Sequence, residues 1–315
     1  MTRMKSDVHQ EVTFWSGGVE CAADLYLQGS EGPHPSLVMG HGWNQTKQGL
    51  RNEGRILRDA GYNVMIIDYR CLGKSGGDER GQIFPRRQVE DLRNAITYFT
   101  RRGEVDANRL GIYGVSFAGG LVLQAAAFDM RVRICVAQSP IVNGRRWMKE
   151  LRNSREYQDL LVELQRDFED GYGKTASQWR RVKSNGQQTV PVPQAVRDRF
   201  PPFDPDNPNS CAFPVETQET YNPEISFESV LHVLDFNPSD VIDMIAPRPL
   251  LMIGNAGGPY DWLHPPEAIQ EAYAKAGEPK ELIFLPYDAY GLYMEPGRSE
   301  SMAAVVAFCD KYLKG

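Results

Sequence analysis

Apolar positions in the first 140 residues gather into short continuous runs, set apart by longer stretches whose apolar residues recur at helical spacing. VECAADLYL, SLVMGHG, NVMIIDY, RLGIYGVS and RVRICVAQSP read as buried strands. GLRNEGRILRDAG, RQVEDLRNAITYFTRR and FAGGLVLQAAAF read as the helices between them. Strands that alternate strictly with helices predict a mostly parallel sheet covered on both faces. The pattern returns near the end with PLLMIGNA, helix PPEAIQEAYAKAG, ELIFLP and a closing helix SESMAAVVAFCDKYL. Residues 1–140 and 246–315 are therefore expected to share one sheet.

Residues 141–245 have a different character. In RRWMKELRNSREYQDLLVELQRDFEDG, Trp147, Leu151, Leu161, Leu164 and Phe168 recur at helical spacing, predicting a helix pair with one apolar face. The proline-rich TVPVPQAVRDRFPPFDPDNPNSCAFP that follows is neither regular helix nor central strand. Helices and stiff loops inserted between two halves of a sheet have the layout of a cap.

Composition narrows the function classes. The chain has 315 residues and a formal charge of -6, with acidic and basic positions interleaved. That offers no basic stripe for nucleic acid and no polybasic segment for a membrane surface. No window has the apolar length of a membrane-spanning helix, and the N-terminal MTRMKSDVHQEVTFW has no apolar run behind its charges, so a cytoplasmic protein is expected. Cys21, Cys71, Cys135, Cys211 and Cys309 are scattered and odd in number, which argues against a disulfide framework or a zinc site. No metal or organic cofactor is expected. The partner is a small molecule, with a homodimer left open.

Candidate chemistry lies at the strand ends. RLGIYGVSFAGG ends a strand on Ser116, with Gly114 before it and Ala118, Gly119 and Gly120 after it. Small neighbours suit a sharp strand-to-helix turn that lifts a hydroxyl out of the sheet, although Ala118 stands where GxSxG has its second glycine. The helix that follows aims its first amides at the same point. In LVMGHGWNQTK, Gly42 lets the chain bend so that the amide of Trp43 can join that of Phe117 as an oxyanion hole, while His41 reads as a packed structural histidine. In LLMIGNAGGPYDWLHPPEA, Asp261 sits in a loop before a helix opened by Pro265 and Pro266, and is the expected carboxylate.

Taken in order, HGW, IDYRCLGKSGG, VEDLRNAITYF, VDANRLGIYGVSFAGG, IAPRPLLMIG and the closing strand resemble the α/β-hydrolase superfamily in its dienelactone-hydrolase-like branch, which includes fungal polyketide thiohydrolases and acyl transferases. The resemblance implies an α/β-hydrolase fold: an eight-stranded, mostly parallel sheet with an inserted helical cap. It also implies a serine nucleophile, here Ser116, a carboxylate after the seventh strand, here Asp261, and a histidine after the eighth. Such members place that histidine three residues before a Leu-Tyr pair. Counting back from Leu292-Tyr293 in LIFLPYDAYGLYMEPG reaches Ala289, whereas counting forward from Pro286 reaches Tyr290.

The expectation is thus a serine hydrolase or acyl transferase for an ester, thioester or related acyl substrate of moderate to large apolar size, inactivated by loss of the base at position 289. Three accounts of the gap compete. In the leading one, Ala289 is a deliberate replacement. In the second, a natural departure turns the scaffold into a lyase, cyclase, decarboxylase or ligand-binding protein, with Tyr290 as a donor. In the third, His264, close after Asp261, serves as a substitute base; as a residue before Pro265 at a helix start it ranks below the others.

Overall fold

A computed structural model describes residues 9–29, 32–191 and 218–315. Most of the expected proline-rich segment, with Cys211, lies outside the described residues. Eight strands form one sheet: β1 (Gln10–Ser16), β2 (Val19–Tyr26), β3 (His34–Gly40), β4 (Asn63–Ile67), β5 (Val105–Val115), β6 (Ile134–Gln138), β9 (Leu250–Asn255) and β10 (Lys280–Leu285). Their spatial order is β1-β2-β4-β3-β5-β6-β9-β10. β1 and β4 pair antiparallel with β2, and every other pairing is parallel. As the sequence predicts, both halves of the chain contribute to one sheet.

The parallel strands are buried on both faces, which is why they appear as unbroken apolar runs: all five residues of β4 and of β6 are buried. Helix α1 (Arg51–Asp59) packs with the C-terminal helix α8 (Gly297–Leu313), while α2 (Pro85–Phe99) packs with α3 (Phe117–Phe128). α3 is almost wholly buried, and its Gly, Ala and Val content lets it lie close against β5 and β6. α7 (Pro266–Lys275) follows β9 and leads to β10. Cys21, Cys71, Cys135 and Cys309 are free and buried. No helix of the described residues is long and apolar enough to cross a membrane.

Between β6 and β9 the chain forms α4 (Gly144–Glu150), α5 (Ser154–Asp170), a two-stranded antiparallel sheet of β7 (Arg181–Lys183) with β8 (Glu224–Ser226), and α6 (Glu228–Leu234). Two helices stand where a pair was expected, but the apolar stripe does not run through both. Asn153 accepts from the Glu156 amide and its own amide donates to the Glu156 side chain, a capping box that starts a second helix after α4. Within α5, Leu160 and Leu164 are buried, while Phe168, one turn on, is 72% exposed.

The insert is tied to the end of β3 and to the loop after β9. Trp43 Nε1 donates to the carbonyl of Ser184 at 2.9 Å, and Trp147 Nε1 to that of Leu263 at 2.9 Å. Asn44 Nδ2 donates to the Asn222 carbonyl at 2.8 Å. These segments all meet at the C-terminal ends of parallel strands, where open α/β sheets bind their ligands.

Candidate active site

Ser116 lies between β5 and α3 with φ 55° and ψ −120°. A non-glycine residue held at positive φ stores roughly 1–3 kcal/mol of strain, so its surroundings must impose it. Here the Ser116 amide donates to the Gln138 carbonyl at 2.8 Å, and its carbonyl accepts from the amides of Gly119 at 2.9 Å and Ile141 at 3.1 Å. The end of β6 thus clamps the turn from one side. A Cβ at Gly114 would run into the Ala118 carbonyl, and one at Gly119 would lie 2.7 Å from Pro140 Cα. Those two glycines are needed where they stand. Ala118 fits fully buried, so the departure from a second glycine is accommodated.

Gly42 brings the end of β3 against the same turn: a Cβ there would sit 3.2 Å from Ser116 Cβ. The Phe117 amide opens α3, where first-turn amides lack intrahelical partners. The rings of Trp43 and Phe117 meet edge to face at 5.3 Å between centroids, and Trp43 meets Trp147 in the same way at 5.6 Å. Phe236 closes on Phe117 at 5.3 Å. An aromatic wall therefore stands beside Ser116. His41 is fully buried, lies 3.1 Å from the Gly42 carbonyl through Nδ1 and packs on Tyr69 at 4.7 Å. Burial pushes its pKa down to about 4, which fits a packed, neutral histidine.

The imidazole that faces Ser116 is His264. Its Nε2 lies 2.7 Å from Ser116 Oγ. Asp261–Leu263 form a single helical turn, and the His264 amide closes it by donating to the Asp261 carbonyl at 3.0 Å. Pro265 keeps the next backbone step extended, at φ −134° and ψ 78° for His264. The Trp147 bond to the Leu263 carbonyl braces the turn from the insert. His264 is 2% exposed, and desolvation pushes its pKa down to about 3. The ring is neutral at any ordinary pH. Its Nδ1 has no hydrogen-bond partner among the described residues.

Asp261 holds its own loop. One carboxylate oxygen accepts from Asn255 Nδ2 at 2.7 Å, and the other from the amides of Gly257 at 3.0 Å and Gly258 at 3.2 Å. Position 289 also differs from the expectation. Ala289 is fully buried in the core, and Asp288 beside it accepts from the amides of Tyr290 at 3.1 Å and Gly291 at 2.7 Å. Tyr290 is buried with its ring edge to face with Tyr260, at 6.0 Å. A Cβ at Gly258 would come within 2.6 Å of Asp288 Cβ, so the loop after β10 closes onto the loop after β9. The expectation that Ser116 lacks an imidazole is corrected here: the ring comes from the loop after β9 rather than from position 289. The sequence does carry the signal, a histidine in a loop at the strand ends, but its place before Pro265 makes it look like a helix-start residue. Asn255, which ends β9 and braces Asp261, was not foreseen.

The sheet order, the strained serine turn after the fifth strand and the pairings around it have the arrangement of the α/β-hydrolase fold, and the chain resembles that superfamily on its dienelactone-hydrolase-like side. Residues 49–191 match the model of the prolyl oligopeptidase family. Over 135 residues the chain is 36% identical to the quorum-quenching protein AidA of Acinetobacter baumannii (strain MDR-ZJ06), covering 42% of this chain and 44% of AidA. Over 138 residues it is 32% identical to the thiohydrolase aneE of Aspergillus aculeatus, covering 43% of each chain. These matches span less than half of either relative's length. A longer match, 25% identical over 264 residues, covers 80% of this chain and 79% of the polyketide transferase grgF of a Penicillium species. The crystal structure of the α/β hydrolase GrgF superposes with a TM-score of 0.80 at 20% identity, covering 98% of this chain and all of that one, which supports the fold.

Proposed function

We propose that the chain is a serine acyl hydrolase or acyl transferase in which Ser116 is the nucleophile and His264 the base. The observation that carries this reading is the 2.7 Å contact between Ser116 Oγ and His264 Nε2. A serine hydroxyl is a weak nucleophile until a neighbouring base takes its proton, and a neutral imidazole at hydrogen-bond distance is such a base. In the first half-reaction Ser116 Oγ bonds to the acyl carbon as its proton passes to His264 Nε2. The amides of Trp43 and Phe117 receive the oxyanion, and the leaving group departs with the proton from His264. Water, or a second alcohol, amine or thiol, then releases the acyl group by the same steps in reverse. Ala289 is an ordinary buried alanine in this reading, and Asp261 is a positioning residue that shapes the His264 loop.

Among the described residues no carboxylate lies at Nδ1 of His264, and in this the site differs from a serine triad. An imidazolium formed there gains no counter-charge from the described residues, and loss of that carboxylate from a triad lowers turnover by about 10⁴. A site so equipped favours acyl groups with good leaving groups, because a thiolate or phenolate departs with less help from an acid than an alkoxide does. The thiohydrolase and transferase names of aneE and grgF support thioesters as the substrate class. The Trp43, Phe117, Trp147 and Phe236 rings support an apolar acyl chain of moderate to large size under a cap formed by the insert.

Acyl thioester cleavage by the unaltered protein and by Ser116→Ala tests the reading. Turnover that vanishes with Ser116, together with an acyl adduct found on that residue, supports it. Tight ligand binding with Ser116 never acylated would favour a binding protein on the same scaffold.

A further inference from the structure

Two residues beyond Trp43 lies a polar side chain that the proposed chemistry leaves unused. Gln45 is 6% exposed, and its side-chain oxygen Oε1 is buried without a hydrogen-bond partner among the described residues. A Cβ on Gly42 would lie 3.5 Å from Gln45 Nε2 and 3.2 Å from Ser116 Cβ. The Gln45 carboxamide and the Ser116 side chain therefore flank the same glycine. The segment carrying Gln45 is pinned on both sides: Asn44 Nδ2 donates to the Asn222 carbonyl, while the Thr46 amide and hydroxyl donate to Gln218 Oε1 at 3.0 and 2.9 Å. Its own amide approaches the Gly42 carbonyl at 3.4 Å.

A buried acceptor without a donor is costly, and protein interiors seldom keep one that nothing uses. The carboxamide flanks the same glycine as the nucleophile, and a donor on a molecule bound there would satisfy its oxygen. We propose that Gln45 is a substrate-binding residue whose side-chain oxygen accepts a hydrogen bond from a hydroxyl on the acyl group, close to the acyl carbon, so that the site selects hydroxyacyl over plain acyl substrates. The inference rests on the reading of Ser116 as the acyl acceptor. Its physical basis is an asymmetry: a site built to pair with a substrate hydroxyl rejects the analogue lacking it, because the buried protein group is then left unpaired. A purely apolar site would show the opposite order, since the hydroxyl would lose its water for nothing.

The test compares N-acetylcysteamine thioesters of 3-hydroxybutanoate and butanoate. With the unaltered protein, kcat/KM for the hydroxylated substrate is expected to exceed that for its analogue by about tenfold or more. Gln45→Leu should bring the ratio to one or below, whereas Gln45→Glu, which keeps an acceptor oxygen, should retain the preference. A ratio near one in the unaltered protein, or a preference that survives Gln45→Leu, overturns the proposal. Calorimetric binding of both thioesters to Ser116→Ala reads the same ratio without turnover, with tighter binding of the hydroxylated ligand expected and equal binding contrary to it. Failure of the acyl-transfer reading shows separately, as turnover of both substrates that persists in Ser116→Ala or as no acylation of Ser116 at all.

Discussion

The loops after β9 and β10 lie against each other at the same end of the sheet, yet only one of them supplies Ser116 with a polar partner. The β9 loop is built around Asp261, whose carboxylate gathers Asn255 and two glycine amides, and it ends on an imidazole directed at the serine hydroxyl. The β10 loop is built in the same way around Asp288, which gathers the amides of Tyr290 and Gly291, but position 289 within it holds a buried alanine. The difference teaches that, of two neighbouring loops built alike around an aspartate, it is the β9 loop that brings an imidazole to Ser116. The Asp261 carboxylate is turned to its own loop, and His264 Nδ1 has no hydrogen-bond partner among the described residues.

The comparison breaks most sharply at the imidazole. His264→Ala should lower acyl transfer by about 10³ or more, the scale on which loss of a base is felt, in single-turnover acylation of Ser116. Loss of the Asp261 carboxylate should act next, through structure. Asp261→Ala removes three hydrogen bonds from the β9 loop and is expected to cost about 1–3 kcal/mol in denaturant unfolding. Acylation should fall with it as His264 loses its placement, although Asp261 touches no reacting atom. Ala289→His probes the β10 loop. Because Ser116 already has an imidazole, a gain in acylation of less than about tenfold is expected. A gain of several orders of magnitude would return the base to position 289.

A separate effect, read at equilibrium and without substrate, is in stability against pH. The His264 pKa is near 3 when folded and about 6.5 when unfolded, so between those values the unfolded chain carries a proton that the folded one does not. Its contribution to stability is fully present above pH 6.5 and is lost as pH falls towards 3. Replacing His264 with Gln removes this term. The difference in unfolding free energy between the unaltered protein and the variant should therefore change by about 1.4 kcal/mol per pH unit between pH 4 and 6 and be flat above pH 7. A difference independent of pH would mean that the ring titrates normally in the folded protein.

Much of this architecture is legible in the sequence because it rests on local pattern. α3 begins and ends where FAGGLVLQAAAF does, and Ser116 stands between β5 and α3 because only small neighbours permit so tight a turn. Extrapolating a pattern along the insert is less secure: its apolar stripe fails at Phe168, which is exposed one turn beyond the buried Leu164 on the same helix. The histidine that meets Ser116 was hardest to place. Its contact with Ser116 joins positions 148 residues apart, and no local spacing encodes it. A family pattern pointed to the neighbouring loop, while His264 itself, set before two prolines, looked like punctuation.

Fluorophosphonate labelling of Ser116 tests the central claim most directly, compared across the unaltered protein, His264→Gln and Ala289→His. The account predicts that the unaltered protein labels at Ser116, that His264→Gln slows labelling by about 10² or more, and that Ala289→His labels at nearly the rate of the unaltered protein. Labelling that ignores His264 and appears only with a histidine at 289 would contradict it.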